Sequence, residues 1–268
     1  MFGHVLVPVD GSKESEAILP IAAQIATTLG IELRLVRVID HGFERQAAEA
    51  QLASLARDFA AAASAVIESG NSVRAIATEL ETNPGGLLAM TTHGRTGLTE
   101  EVIGTTALTL VRTLARPVLV YRPPVDHEPV SDRVPIETVV VPVDGGEFSE
   151  SMIPIAAGFA KAMQARVEFI QVIEALESPA PPDVLDSSYV RSKAIDVRNA
   201  VGVPVTFEVL HGDPGRAIPE YIRARPRTIL AMSTHARRGI ERLVFGGVTN
   251  ACLRGAGVPI LLRYPGEH

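Results

Sequence analysis

Val5-Leu6-Val7-Pro8-Val9-Asp10-Gly11-Ser12 decides the fold, because the chain writes it twice. The stretch returns 134 positions later as Val139-Val140-Val141-Pro142-Val143-Asp144-Gly145-Gly146, identical at six of eight places. A second motif, Thr92-His93-Gly94-Arg95, returns 142 positions later as Thr234-His235-Ala236-Arg237. A repeat that long exceeds a solenoid unit and has the size of a whole domain. A tandem pair is therefore expected, with domains over residues 1–125 and 136–268 and a linker over 126–135. Residues 122–135 are rich in proline and charge, which suits a linker.

Working outward, each opening run is too continuously apolar for a half-exposed strand and suits a parallel strand covered on both faces. Asp-Gly follows, then a helical pattern over residues 14–29 and 148–163. Both helices contain Pro-Ile-Ala-Ala, at Pro20 and Pro154. Proline costs about 3 kcal/mol inside a helix unless it lies in the first turn, so each helix is expected to kink or to start late. Further strands are expected at 32–39 and 166–173, 61–68 and 203–210, 87–91 and 228–233, and 117–121 and 259–263, with helices between. The proline-rich residues 177–182 account for most of the second half's extra length. The expected fold class is α/β: two tandem doubly wound domains, each a five-stranded, mainly parallel sheet with helices on both faces. Such sheets bind ligands beyond the carboxyl ends of their strands. Asp10, Val38 and Thr91 through Gly94 all fall there.

Composition narrows the function. The chain has 268 residues, 46% of them hydrophobic, a net charge of −6 and no Trp. It lacks the basic, aromatic-studded surface that nucleic acids need. No apolar run reaches membrane-spanning length, and the first residues enter a strand at once, so a cytoplasmic protein is expected. Cys252 is the one cysteine and falls within a helix pattern, so it reads as a small buried residue. None of the three lysines, Lys13, Lys161 and Lys193, sits in a Walker-type phosphate loop.

In the first half the fourth strand runs into Thr91-Thr92-His93-Gly94-Arg95-Thr96-Gly97, then Gly104-Thr105-Thr106 and a helix. A strand turning through glycines into a helix N-terminus presents backbone N–H groups to phosphate. Together with Val-Pro-Val-Asp-Gly-Ser, Val38, Ile103-Gly104-Thr105 and Arg116-Pro117-Val118-Leu119-Val120, these motifs make the chain resemble the universal stress protein family in its tandem form. The resemblance implies ATP as the ligand. Asp10 would contact the ribose or adenosine and Val38 the adenine, with Gly94, Arg95, Gly104, Thr105 and Thr106 around the phosphates. Any Mg²⁺ would take most of its ligands from the nucleotide. The family pattern is G-x-x-G, nine residues, then G-[ST]; Thr91 replaces its first glycine. The second half departs further, with Ser233, Ala236 and Gly246-Gly247 in place of the two glycines and Gly-[ST]. The resemblance also implies that the two halves pair through their last strands, and that full chains form a homodimer.

Plainer readings stand beside these. Asp10 and Asp144 serve as ligand contacts or as helix caps, and Ser12 as a cap or a site hydroxyl. His93 and His235 read as structural, since no nucleophile with an orienting acid is evident and no catalytic residue is assigned. Arg95 is matched by Arg237 and can be a loop charge; His41 beside Asp40 is too little for a metal site. The leading expectation is a non-enzymatic, ATP-binding stress protein, slow hydrolysis at most, with the first domain as its main site. The alternative is a nucleotide-free scaffold that acts through other proteins.

Overall fold

The computed structural model describes residues 2–40, 42–92, 104–123, 135–174, 187–234 and 245–265. The chain divides into two compact units, with the main boundary in sequence between Pro135 and Ile136.

In the first unit, strands β1 (His4–Pro8), β2 (Glu32–Ile39), β3 (Ala63–Glu68), β4 (Gly86–Thr91) and β5 (Val118–Tyr121) lie in the order β3-β2-β1-β4-β5. Every pairing is parallel, with His4 opposite both Glu32 and Gly86. Val5, Leu6 and Val7 are all buried, as the unbroken apolar run requires of a strand with both faces covered. Helices α1 (Lys13–Glu16), α2 (Leu19–Leu29) and α3 (Arg45–Phe59) connect the first three strands, and α4 (Ser72–Thr82) and α5 (Thr105–Thr113) the rest. α2 packs beside α3, and α4 beside α5.

The expected helix over 14–29 is two helices. A break at Ala17 separates α1 from α2, and Pro20 falls in the first turn of α2. Its missing N–H has no intrahelical partner to lose there. α2 buries Leu19, Ala22, Ala23, Ile25 and Ala26 on one stripe and ends at Gly30, whose φ of 64° closes the helix in the left-handed region.

The second unit repeats the plan with β6 (Thr138–Pro142), β7 (Arg166–Ile173), β8 (Val205–His211), β9 (Thr228–Ser233) and β10 (Ile260–Arg263). Their order is β10-β9-β6-β7-β8, again parallel throughout. The helices are α6 (Glu147–Glu150), α7 (Ile153–Met163), α8 (Ser188–Val201), α9 (Pro214–Arg223) and α10 (Gly247–Gly255). Pro154 repeats the first-turn placement of Pro20. Cys252 is buried within α10, and burial pushes its thiol up to about 12.

In both units the strand order reverses at the central strand: β1 neighbours β2 on one side and β4 on the other, as β6 neighbours β7 and β9. The crevice at that reversal lies between the carboxyl ends of β1 and β4, and of β6 and β9.

Candidate functional site

The turn after β1 is built around Asp10. Its Oδ1 accepts from Ser12 N at 3.0 Å and from Ser12 Oγ at 2.6 Å, while Asp10 N donates to Ser15 Oγ at 3.2 Å. Ser12, at the N-cap of α1, accepts from Ser15 N at 3.2 Å. Capping therefore belongs to Ser12; Asp10 orders the turn and does not cap the helix. Gly11 between them has φ of 90°, which favours glycine.

The fourth strand supplies the other wall. Thr91 ends β4, buried, and the buried Thr92 donates its N–H to Tyr121 O at 3.0 Å. After residues 93–103 the chain returns at Gly104, whose N–H donates to Thr92 O at 2.7 Å. A Cβ at Gly104 would sit 2.7 Å from that same carbonyl oxygen, so only glycine fits. Gly104 is the N-cap of α5 and no side chain caps that end. The first-turn N–H groups have no intrahelical partner and are available to an anion. Thr105 is exposed beside them and Thr106 half-buried. Val38, half-buried, lies near the end of β2 opposite Ile67.

Asp10, Val38, Thr91, Gly104, Thr105 and Thr106 thus share the carboxyl end of one sheet. Gly94 and Arg95 lie outside the described residues, as do His41, His93, His235, Ala236, Arg237 and the loop over 177–182.

The second unit holds a cavity of about 460 Å³ at the matching place. Asp144, Ser149, Ser233 and Thr249 give it polar atoms. Phe148, Ile170, Val172, Ile218 and Met232 give it apolar walls, and Gly246 through Val248 bring the N-terminus of α10. That helix end also lacks a side-chain cap. Asp144 Oδ1 accepts from Gly146 N at 2.9 Å and from Ser149 Oγ at 2.5 Å, and Asp144 N donates to Ser149 Oγ at 3.3 Å. Ser233 Oγ shares a hydrogen bond with Ser151 Oγ at 3.1 Å. Ser233, in place of a glycine, therefore lines the cavity with its hydroxyl engaged.

Ser15 and Ser149 were not among the sequence-derived site residues, yet each receives the aspartate's backbone N–H. The signal was present: the serine recurs five positions after the aspartate in both halves. Glu16 and Glu150 recur in the same way. Among the described residues no group of three or more His, Cys, Asp or Glu is placed to hold a metal ion. No helix among them is long and apolar enough to cross a membrane.

Comparison with known proteins agrees with this architecture. The model of the universal stress protein family matches residues 1–122 and again 135–262. The chain belongs to that family, in its tandem two-domain form. A universal stress protein of Methanocaldococcus jannaschii is 25% identical over 135 residues, which are 46% of this chain and 79% of that protein. One from Mycobacterium tuberculosis is 26% identical over 194 residues, 67% of this chain and 62% of the relative's length. Among solved structures, a universal stress protein from Archaeoglobus fulgidus superposes with a TM-score of 0.75 at 17% identity, covering 98% of this chain and 99% of its own. A putative universal stress protein from Pseudomonas aeruginosa gives 0.70 at 16% identity, covering 98% and 93%. These structures share the fold.

Proposed function

We propose that this protein binds adenine nucleotide at the carboxyl-end crevices of its units, ATP chiefly in the first, and that occupancy regulates its conformation or partners. The observation that carries the reading is the cavity of about 460 Å³ in the second unit, where a carboxylate and an uncapped helix N-terminus face one apolar chamber. A nucleoside asks for such a combination: apolar walls for the base, a carboxylate for ribose hydroxyls, and backbone N–H groups for phosphate. The first unit carries the same carboxylate, strand end and uncapped helix, on Asp10, Thr91 and Gly104.

The units differ where phosphate would lie. Thr105 and Thr106 open α5, whereas Gly247 and Val248 open α10. A hydroxyl bond to a charged phosphate contributes about 1.5–3 kcal/mol. Adding about 1 kcal/mol for Ala236, if its glycine counterpart needs positive φ, makes the second unit the weaker ATP site by about sixtyfold to a thousandfold. Binding rather than turnover is the proposed activity.

Protein purified without added nucleotide is heat-denatured and the released small molecules are identified by chromatography and mass spectrometry. About one ATP or ADP per chain supports a filled first unit and a weak second. Two per chain overturns the ranking. None released, with no heat on titration with Mg-ATP, overturns the nucleotide reading and leaves the scaffold.

A further inference from the structure

The turn that carries Asp144 is built differently from its counterpart. In the first unit Ser12 both caps α1 and donates to Asp10 Oδ1. The second unit has Gly146 there, with no side-chain cap on α6, and Asp144, Gly145 and Gly146 are all exposed. Asp144 Oδ1 keeps its bonds from Gly146 N and Ser149 Oγ, but two glycines in an exposed turn leave the backbone beneath it free to move unless something else holds it.

Something else is present. Tyr189 of α8 packs against the turn, the ring carbon that carries its hydroxyl 4.0 Å from where a Cβ of Gly145 would be. Tyr189 Oη donates to Glu150 Oε1 at 2.8 Å, and Lys193 Nζ donates to Glu150 Oε2 at 2.8 Å. Both carboxylate oxygens are therefore engaged, and the lysine beside Glu150 holds its carboxyl below the usual range. The first unit braces the same spot with different side chains. Arg37 packs its guanidinium over Gly11 and donates to Gln51, and Gln51 Nε2 donates to Glu16 Oε1 at 2.6 Å. The glutamate recurs while its partners do not, so what recurs is a polar brace beneath the turn.

We propose that Tyr189, anchored by Glu150 and Lys193, is a positioning residue that sets Asp144 for the occupant of the second cavity and ties α8 to that occupant. The ligand part of this rests on the nucleoside reading above; the bracing of the turn does not. The backbone gives a way to test it by substitution. Gly146 has φ of −85° and ψ of 144°, close to the −90° and 151° of Ser12, so Gly146→Ser can reinstall the first unit's device.

The experiment uses the full chain as wild type, Tyr189→Phe, and Tyr189→Phe with Gly146→Ser. Hydrogen exchange of the Gly145 and Gly146 amides is followed without ligand, and titrations use adenosine and Mg-ATP. Losing the phenol's bond to Glu150, at about 1 kcal/mol, speeds exchange about fivefold in Tyr189→Phe. Affinity for adenosine at the second unit falls by a similar factor, and Gly146→Ser restores both. In the wild type, adenosine also slows exchange in α8, and Tyr189→Phe removes that effect. Unchanged ligand-free exchange in Tyr189→Phe overturns the brace whether or not any nucleotide binds. Faster exchange with unchanged adenosine affinity overturns the positioning role. Faster exchange in a protein that binds neither probe keeps the brace, overturns the coupling to an occupant, and marks the nucleotide reading as the one that failed.

Discussion

At the residue scale, close approach governs more than chemistry. Gly104 reads in sequence as a place where backbone meets phosphate, yet the structure gives it a steric reason of its own, the carbonyl of Thr92. Gly104→Ala must displace the return to β4, and an overpacked site of this kind costs about 1–3 kcal/mol. A lower denaturation midpoint with nucleotide absent is the expected result. Thr105→Ala tests the other half of the motif: the exposed hydroxyl contributes little to folding, so ATP affinity should fall about tenfold or more while the midpoint stays. His4 offers a pH test. Its ring is buried at the start of β1 with Nε2 unpartnered, and burial, with Arg34 nearby, lowers its pKa below 6.5. The unfolded chain then binds the proton more readily than the folded one, so stability is full above pH 6.5 and declines as pH falls through the lowered value. His4→Phe should flatten that part of a stability-against-pH curve, read by urea midpoints between about pH 5 and 7.

At the element scale, the two copies of one helix provide a comparison within the chain. α2 ends at Gly30, and α7 ends at Gln164 with φ of 56°, a left-handed residue with a side chain. Gln164→Gly should raise stability by about 0.5–1 kcal/mol, the strain relieved less the added freedom of the unfolded chain. Gly30→Gln should lower it, and equilibrium unfolding of both variants checks the pair. Of the two outcomes expected for Pro20 and Pro154, a kink or a late start, the structure has the late start. They are starters, because each helix begins a residue earlier and a separate short helix precedes it. Sequence periodicity could not choose between a kink and a late start, since a break of two residues between helices barely disturbs the 3.6-residue stripe.

At the scale of the whole molecule, the prediction is unequal occupancy. Titration with Mg-ATP should show one tighter site, weakened about tenfold or more by Thr105→Ala, and one weaker site that is unaffected. Sequence reasoning placed the better site in the first unit, because the G-[ST] pattern survives there. The structure shows a chamber in the second, lined by Asp144, Ser233 and the start of α10. These two views concern different parts of one ligand: the motif concerns phosphate, the cavity the base and sugar.

Much of the fold was legible because it rests on short-range rules. Two copies of a buried strand, Asp-Gly turns, helical stripes and regular alternation are enough to specify two parallel sheets, and the strands fall within a residue or two of where the pattern puts them. Asp10, Val38, Thr91 and Gly104 could be placed for the same reason, since strand ends follow from strand positions. What sequence could not show is anything that depends on which side chains meet across elements. Arg37 with Gln51 and Glu16, and Tyr189 with Lys193 and Glu150, join residues between 14 and 43 positions apart on strands and helices that pack only after the sheet has formed. The repeat itself hid them, because the two halves solve one mechanical problem with unlike residues. The sequence by itself determined the family, the doubling and the strand ends, all set by local pattern. The cavity and the braces beneath its turns were decided by tertiary packing, where distance in space replaces distance along the chain.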